Sequence, residues 1–172
     1  MEYRHIQYWQ YEPGVEEERI LEAALVLSQK PRHDTYLVEL ANFIAEHVGV
    51  KYVMIGQLSA DRQHVHTLVY LAGRELLQNY TYSIKGSPCE NTLTHKFCYY
   101  PYDVAPAFPG DKDLQDLQIE SYLGSMLLSE DNEPMGLVVL MDEKKITNAA
   151  FAEHLIMVLS PAIEKEIKMR SI

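Results

Sequence analysis

The sequence predicts an α+β fold: a central antiparallel sheet of about six strands, terminal helices packed on one face, and a cover of short helices and loops on the other. Three observations predict it. Apolar residues recur at helical spacing only near the two ends of the chain, strand-like runs follow one another in hairpin order between them, and a proline-punctuated stretch, 86–119, interrupts the strands.

A lead over residues 1–14 carries Tyr8, Trp9 and Tyr11 and stops at Pro13-Gly14. Glu16, Glu17 and Glu18 then give way to Ile20, Leu21, Ala24, Leu25 and Leu27. This acidic first turn followed by an apolar stripe predicts a helix, which Lys30-Pro31 ends. Asp34 is the expected N-cap of a second helix, on which Leu37, Leu40, Ala41, Ile44 and Val48 share a face and which Gly49 stops. The period then changes. Residues 51–58 and 64–71 are rich in β-branched and aromatic side chains across a polar connection of hairpin length, and a third strand is expected over 79–84. The stretch 86–119 contains Pro88, Pro101, Pro106 and Pro109, too many breakers for one element, yet it is too apolar for a linker. Residues 121–128 and 135–141 form the clearest strand pair, around the polar turn 129–134. A last helix is expected over 148–170, with Phe151, Leu155, Val158, Leu159, Ala162, Ile163 and Ile167 on one broad stripe and a kink at Pro161. Residues 15–170 thus read as one domain.

The 172-residue chain is 47% hydrophobic and 23% charged, the composition of a globular protein. Its net charge of −10 leaves no surplus of Lys and Arg to neutralise phosphates, so neither nucleic acid nor an anionic membrane is an expected partner. Two cysteines, Cys89 and Cys98, are too few for a disulfide framework and fit an intracellular thiol protein. The first ten residues hold no apolar leader, and apolar runs such as 137–141 fall far short of a bilayer span. The cytoplasm is the expected compartment.

The segments Gly86-Ser87-Pro88-Cys89-Glu90, Tyr100-Pro101, Phe108-Pro109-Gly110-Asp111 with Leu114, Glu120-Ser121-Tyr122-Leu123-Gly124 and Gly136-Leu137-Val138-Val139-Leu140-Met141-Asp142 resemble the GAF domains in their order and spacing. GAF domains are small-molecule-binding regulatory modules. The resemblance is to the subset found beside PAS domains in bacterial sensory signalling proteins, including two-component sensor kinases. It covers nearly the whole chain. It implies a non-catalytic sensory module that holds a small molecule between the sheet and residues 86–119, dimerises through its terminal helices and acts on an output domain or partner. Alternation puts Tyr122, Gly124 and Met126 on one face of their strand and Leu137, Val139 and Met141 on one face of theirs. The resemblance aims Tyr122, Met126, Val139 and Met141 at the ligand, together with Cys89, Phe108, Asp111 and Leu114. These residues are apolar, aromatic and sulfur-bearing, which suits a small, mostly apolar ligand with one or two polar groups. No cofactor is named by the sequence.

Other chemistry finds less support. Free methionine-R-sulfoxide reductases share the Phe108-Pro109-Gly110 resemblance and make a thiol oxidoreductase the alternative function. Their reactive cysteine would fall near Leu114, which supplies no thiolate. A dimerisation scaffold without a ligand is the other alternative. His64 and His66 share a strand face, a spacing that can hold a metal, but no third ligand stands near them in sequence, and no metal site is expected. His95 carries no sign of a haem pocket, and Cys89 follows Pro88 rather than lying in a bilin-attachment motif. Asp111, Asp113, Asp116 and Glu120 read as a solvated acidic face from which Asp111 alone, beside Phe108-Pro109, is placed to meet a polar ligand group. On the last helix, Ile156 and Met157 lie beyond the main stripe and are the expected surplus for a dimer contact.

Overall fold

A computed structural model describes residues 11–170; Tyr8 and Trp9 of the lead lie outside the described residues. The elements run α1 (Val15–Ser28), α2 (Tyr36–Val48), β1 (Tyr52–Leu58), β2 (His64–Ala72), β3 (Glu75–Leu76), β4 (Thr81–Ser83), α3 (Pro88–His95) and β5 (Phe97–Tyr100). They continue with α4 (Val104–Ala107), α5 (Lys112–Asp116), β6 (Ser121–Leu128), β7 (Pro134–Asp142) and α6 (Ala149–Arg170). The sheet is antiparallel and has seven strands where about six were expected, in the order β3-β2-β1-β7-β6-β5, with β4 also pairing β2.

The alternation read from the sequence sorts the side chains. Val53, Ile55, Val138, Leu140, Leu123 and Leu127 point to one face, where α1, α2 and α6 bury Leu27, Leu40, Ile44, Phe151, Leu155 and Ile163 against them. Tyr52, Met54, Leu137, Val139, Met141 and Tyr122 point to the other face, under α3, α4 and α5. Two separate cores therefore share one sheet. Their strands approach closely at the centre: a Cβ on Gly136 would lie 2.3 Å from the Gly56 carbonyl oxygen, so β1 and β7 need glycine there.

Three local expectations are corrected. The second helix is capped by Thr35 rather than Asp34, one residue closer to its first turn, and Gly49 ends it in the left-handed conformation as read. The stretch 86–119 is not wholly cover, because its Phe97–Tyr100 run is a fully buried edge strand paired with β6. Pro161 lies inside α6, which spans 22 residues to Arg170 as expected, and Ser160 Oγ donates to the Ile156 carbonyl one turn back. Ile156 is fully buried rather than surplus, whereas Met157 is exposed. Among the described residues no helix is long and apolar enough to cross a membrane.

Candidate functional site

The cover is built on a sharp entry into α3. Gly86 sits at φ 73°, a region open to glycine, and Glu90 accepts a hydrogen bond from its N–H at 3.1 Å. Pro88 then occupies the first turn, where its missing N–H costs nothing. This start turns Cys89 and Thr92 inward onto the sheet, where both are buried.

Cys89 Sγ lies 3.3 Å from the hydroxyls of Tyr82 and Tyr122. Thr92 Oγ1 donates to the Pro88 carbonyl at 3.2 Å and lies 3.0 Å from the Tyr122 hydroxyl. A side chain at position 124 would destroy this cluster, because a Cβ on Gly124 would stand 2.4 Å from Thr92 Oγ1 and 2.6 Å from the Tyr122 oxygen. Next to it Asn91 Nδ2 donates to the Tyr100 hydroxyl at 2.7 Å, and the Tyr100 ring meets Phe108 edge-on at 5.6 Å and Tyr122 at 6.0 Å. Cys98 is fully buried in the same core.

Phe108 leads into α5, which Asp111 caps by accepting a hydrogen bond from the Leu114 N–H. Leu114 drives into the core at 2% exposure while Asp111 stays half-buried. The Tyr80 hydroxyl donates to the Asp113 carboxylate, tying α5 to β4's approach.

Of the residues aimed at the ligand, Cys89, Leu114, Tyr122, Val139 and Met141 are buried in the cover-side core, with Phe108 packed against it. Asp111 stands at the edge of this core. Met126 shares the face of Tyr122 but is only half-buried, near the far end of β6. Sequence reasoning gave no site role to Tyr82, Thr92 or Asp113, whose partners Cys89, Tyr122 and Tyr80 meet them only through the fold; the alternation of Tyr80 and Tyr82 was the available signal for one of them.

Burial decides the electrostatics. It pushes the Tyr82 and Tyr122 phenols well above their ordinary range and the Cys89 thiol up, so all three are neutral near pH 7. Burial likewise raises the Asp111 carboxyl. The interior therefore offers neutral hydroxyl and thiol groups for hydrogen bonding, not a thiolate nucleophile.

His64 and His66 are exposed, with His66 Nδ1 beside Thr81 Oγ1, and among the described residues no three His, Cys, Asp or Glu side chains gather as a metal site. Among the described residues, two cavities lie away from the cover. One of about 560 Å³ runs between the β6–β7 turn and the end of α6, floored by Leu128, Met135, Pro161 and Met169; the other, about 200 Å³, lies at the start of α6.

No family model and no curated protein matches the sequence. Solved structures do match the fold. The GAF domain of Acinetobacter phosphoenolpyruvate-protein phosphotransferase superposes with a TM-score of 0.66 at 14% identity, over 92% of this chain and 96% of that one. The chain has the GAF fold. The GAF arrangement is also that of the chromophore-binding domain of the R. palustris bacteriophytochrome RpBphP3, with a TM-score of 0.71 at 8% identity over 91% of this chain. This chain spans 62% of the length of that chromophore-binding domain and 39% of the longer bacteriophytochrome. The free methionine-R-sulfoxide reductase of Neisseria meningitidis, solved with its substrate, matches with a TM-score of 0.69 at 13% identity, over 94% of this chain and 97% of that one. Proteins of this fold thus include both a chromophore-binding domain and an enzyme.

Proposed function

We propose that this GAF-fold chain is a non-catalytic sensory module of a bacterial signalling system, located in the cytoplasm, that binds a small molecule between its sheet and residues 86–119. One observation carries the reading. A face that only had to be covered would be dry, yet this one collects the Tyr82, Tyr122 and Thr92 hydroxyls and the Cys89 thiol beneath short helices, with Asp111 at the edge. Small-molecule sites combine a mostly apolar wall with a few convergent polar groups, and this face has that character.

The reductase alternative is disfavoured by the thiols themselves. Cys89 and Cys98 are buried, burial raises the Cys89 pKa, and Leu114 stands where the resemblance would require a reactive cysteine.

A homodimer fits the exposed apolar residues of the terminal helices, chiefly Val15, Leu25 and Val26 on α1 and Met157 and Met169 on α6. Signal output would then pass to an adjoining domain or partner.

A thermal-shift screen of metabolites and cyclic nucleotides tests the reading, since a ligand that binds only the folded state raises its melting temperature. Tyr122→Ala and Asp111→Asn serve as controls; asparagine keeps the helix cap that alanine would remove. A hit weakened by both substitutions supports the cover site. A hit that neither affects places binding elsewhere, and a screen with no hit favours the scaffold alternative.

A further inference from the structure

The seam between α5 and the β2–β4 edge contains groups that the fold does not use up. Tyr70 is 5% exposed, and among the described residues no group hydrogen-bonds its hydroxyl, which is not one of the fully enclosed partnerless atoms. Its ring lies 5.9 Å from that of Tyr80, at 28° between planes, and the Tyr80 ring lies 5.6 Å from that of Tyr82. Three tyrosines thus form a continuous aromatic wall across two strands. Two carboxylates face it: Asp113 takes the Tyr80 hydroxyl, and the charges of Asp111 and Asp113 are both felt at Tyr70 and Tyr80.

Among the described residues no positive charge pairs with these carboxylates. Neither Asp111 nor Asp113 belongs to any ion pair among the described residues, although Arg and Lys elsewhere do find partners such as Glu39, Glu133 and Glu166. Lys112 lies between the two aspartates in sequence but is exposed. Asp111 is half-buried, and what it receives in exchange for water is main-chain hydrogen bonding at the cap of α5, with no opposite charge, so burial still raises its carboxyl.

We propose that this seam recognises an organic cation, an ammonium group on an apolar body, with the ammonium set between Asp111 and Asp113 and against the faces of Tyr70 and Tyr80. The inference rests on the cover-site reading and narrows its ligand to one chemical class. Carboxylates supply charge-assisted acceptors for the ammonium N–H groups, aromatic faces attract its charge, and the free Tyr70 hydroxyl oxygen accepts one further N–H. A metal ion fits worse. The described residues offer no cluster of three His, Cys, Asp or Glu ligands, and a wall of phenol rings solvates an alkylammonium better than a hard divalent ion.

The test compares three probes of one shape and different charge by amide chemical-shift titration of the full chain: phenethylamine, phenethyl alcohol and hydrocinnamate. Phenethylamine alone is expected to shift amides of residues 111–114 and of β2 and β4. Asp111→Asn and Asp113→Asn should each weaken it about tenfold or more, the usual scale for losing a charge-assisted hydrogen bond. Tyr70→Phe should weaken it less. Both asparagine variants keep the local hydrogen bonds, the cap of α5 and the acceptor for Tyr80, so their melting temperatures should stay near that of the parent. Equal binding of the alcohol or the acid at the same amides overturns the cation inference and leaves the cover-site reading standing. Unchanged phenethylamine affinity in both asparagine variants overturns it as well. If none of the three probes shifts these amides, the inference also fails, and the metabolite screen decides the broader reading by itself.

Discussion

The two faces of the sheet differ in what they do with polar groups. On the helix side, α1, α2 and α6 fill the core with Leu, Ile, Val, Ala and Phe, and its two buried tyrosines spend their hydroxyls on main chain: Tyr36 donates to the Leu27 carbonyl at 2.6 Å and Tyr99 to that of Ile146. On the cover side, hydroxyls and a thiol are spent on one another, through Tyr82, Cys89, Tyr122 and Thr92. Bonds to main chain lock neighbouring elements together. Bonds among side chains can be exchanged for bonds to a ligand without unfolding anything. The helix side is accordingly the structural half of the molecule and the cover side the adaptable half.

Truncation should separate the two halves most sharply. Phe151→Ala empties a fully packed site on the helix side and is expected to cost about 3–5 kcal/mol. Unfolding in urea measures it. A loss below about 1 kcal/mol would mean that the helix layer can collapse around a cavity and is not the rigid half.

Glu153 sharpens the comparison from the other direction, because it is a polar group that the helix side leaves unsatisfied. It is buried, one carboxylate oxygen has no partner, and burial lifts its pKa to about 7 from the ordinary 4.5. Between those values the folded state holds a proton that the unfolded state has lost, so stability falls as pH rises through that window. Glu153→Gln should therefore stabilise the protein by on the order of 1–3 kcal/mol near pH 8 and by almost nothing near pH 4.5. Melting curves at the two pH values read this directly, and a gain independent of pH would show that folding does not raise the Glu153 pKa.

On the cover side, Tyr122→Phe removes the hydroxyl that Thr92 and Cys89 share. Thr92 keeps its bond to the Pro88 carbonyl and Cys89 keeps Tyr82, so the expected loss is only about 0.5–1.5 kcal/mol. Ligand affinity should fall more than stability does. The opposite ranking would make the hydroxyl cluster a structural device.

The smallest effect belongs to the surface. Replacing Leu25 and Val26, which are 52% and 65% exposed, with serine should leave the melting temperature within a few degrees while abolishing a dimer through α1, as sedimentation velocity would record. A sedimentation coefficient that the substitutions do not alter removes these residues from any interface.

How far these halves can be read from sequence follows from the same physics. The helix side was legible because burial against a flat sheet imposes a period on every element: Leu37, Leu40 and Ile44 on α2, and Phe151, Leu155 and Leu159 on α6. Ile156 escaped because α6 is covered by α1 and α2 as well as by the sheet, which widens its buried arc beyond one stripe. Alternation grouped Tyr122 on one face of its strand and Val139 and Met141 on one face of theirs, and the resemblance aimed both groups at the cover side, where they lie. The edge strand Phe97–Tyr100 was not, since four buried residues show no alternation and Pro101 closes the run. Partners such as Tyr82 with Cys89, or Tyr80 with Asp113, depend on how α3 and α5 settle on the sheet, and no local pattern records that.

Native-state hydrogen exchange tests the division of the molecule most directly, because it reads the opening free energy of each element separately. Amides of α2, β1 and β7 should exchange only through global unfolding, whereas those of α3 and α5 should exchange through local openings at clearly lower free energy, independent of denaturant. If α3 and α5 exchange at the global free energy together with α2, the cover is as rigid as the helix layer and the adaptable half does not exist.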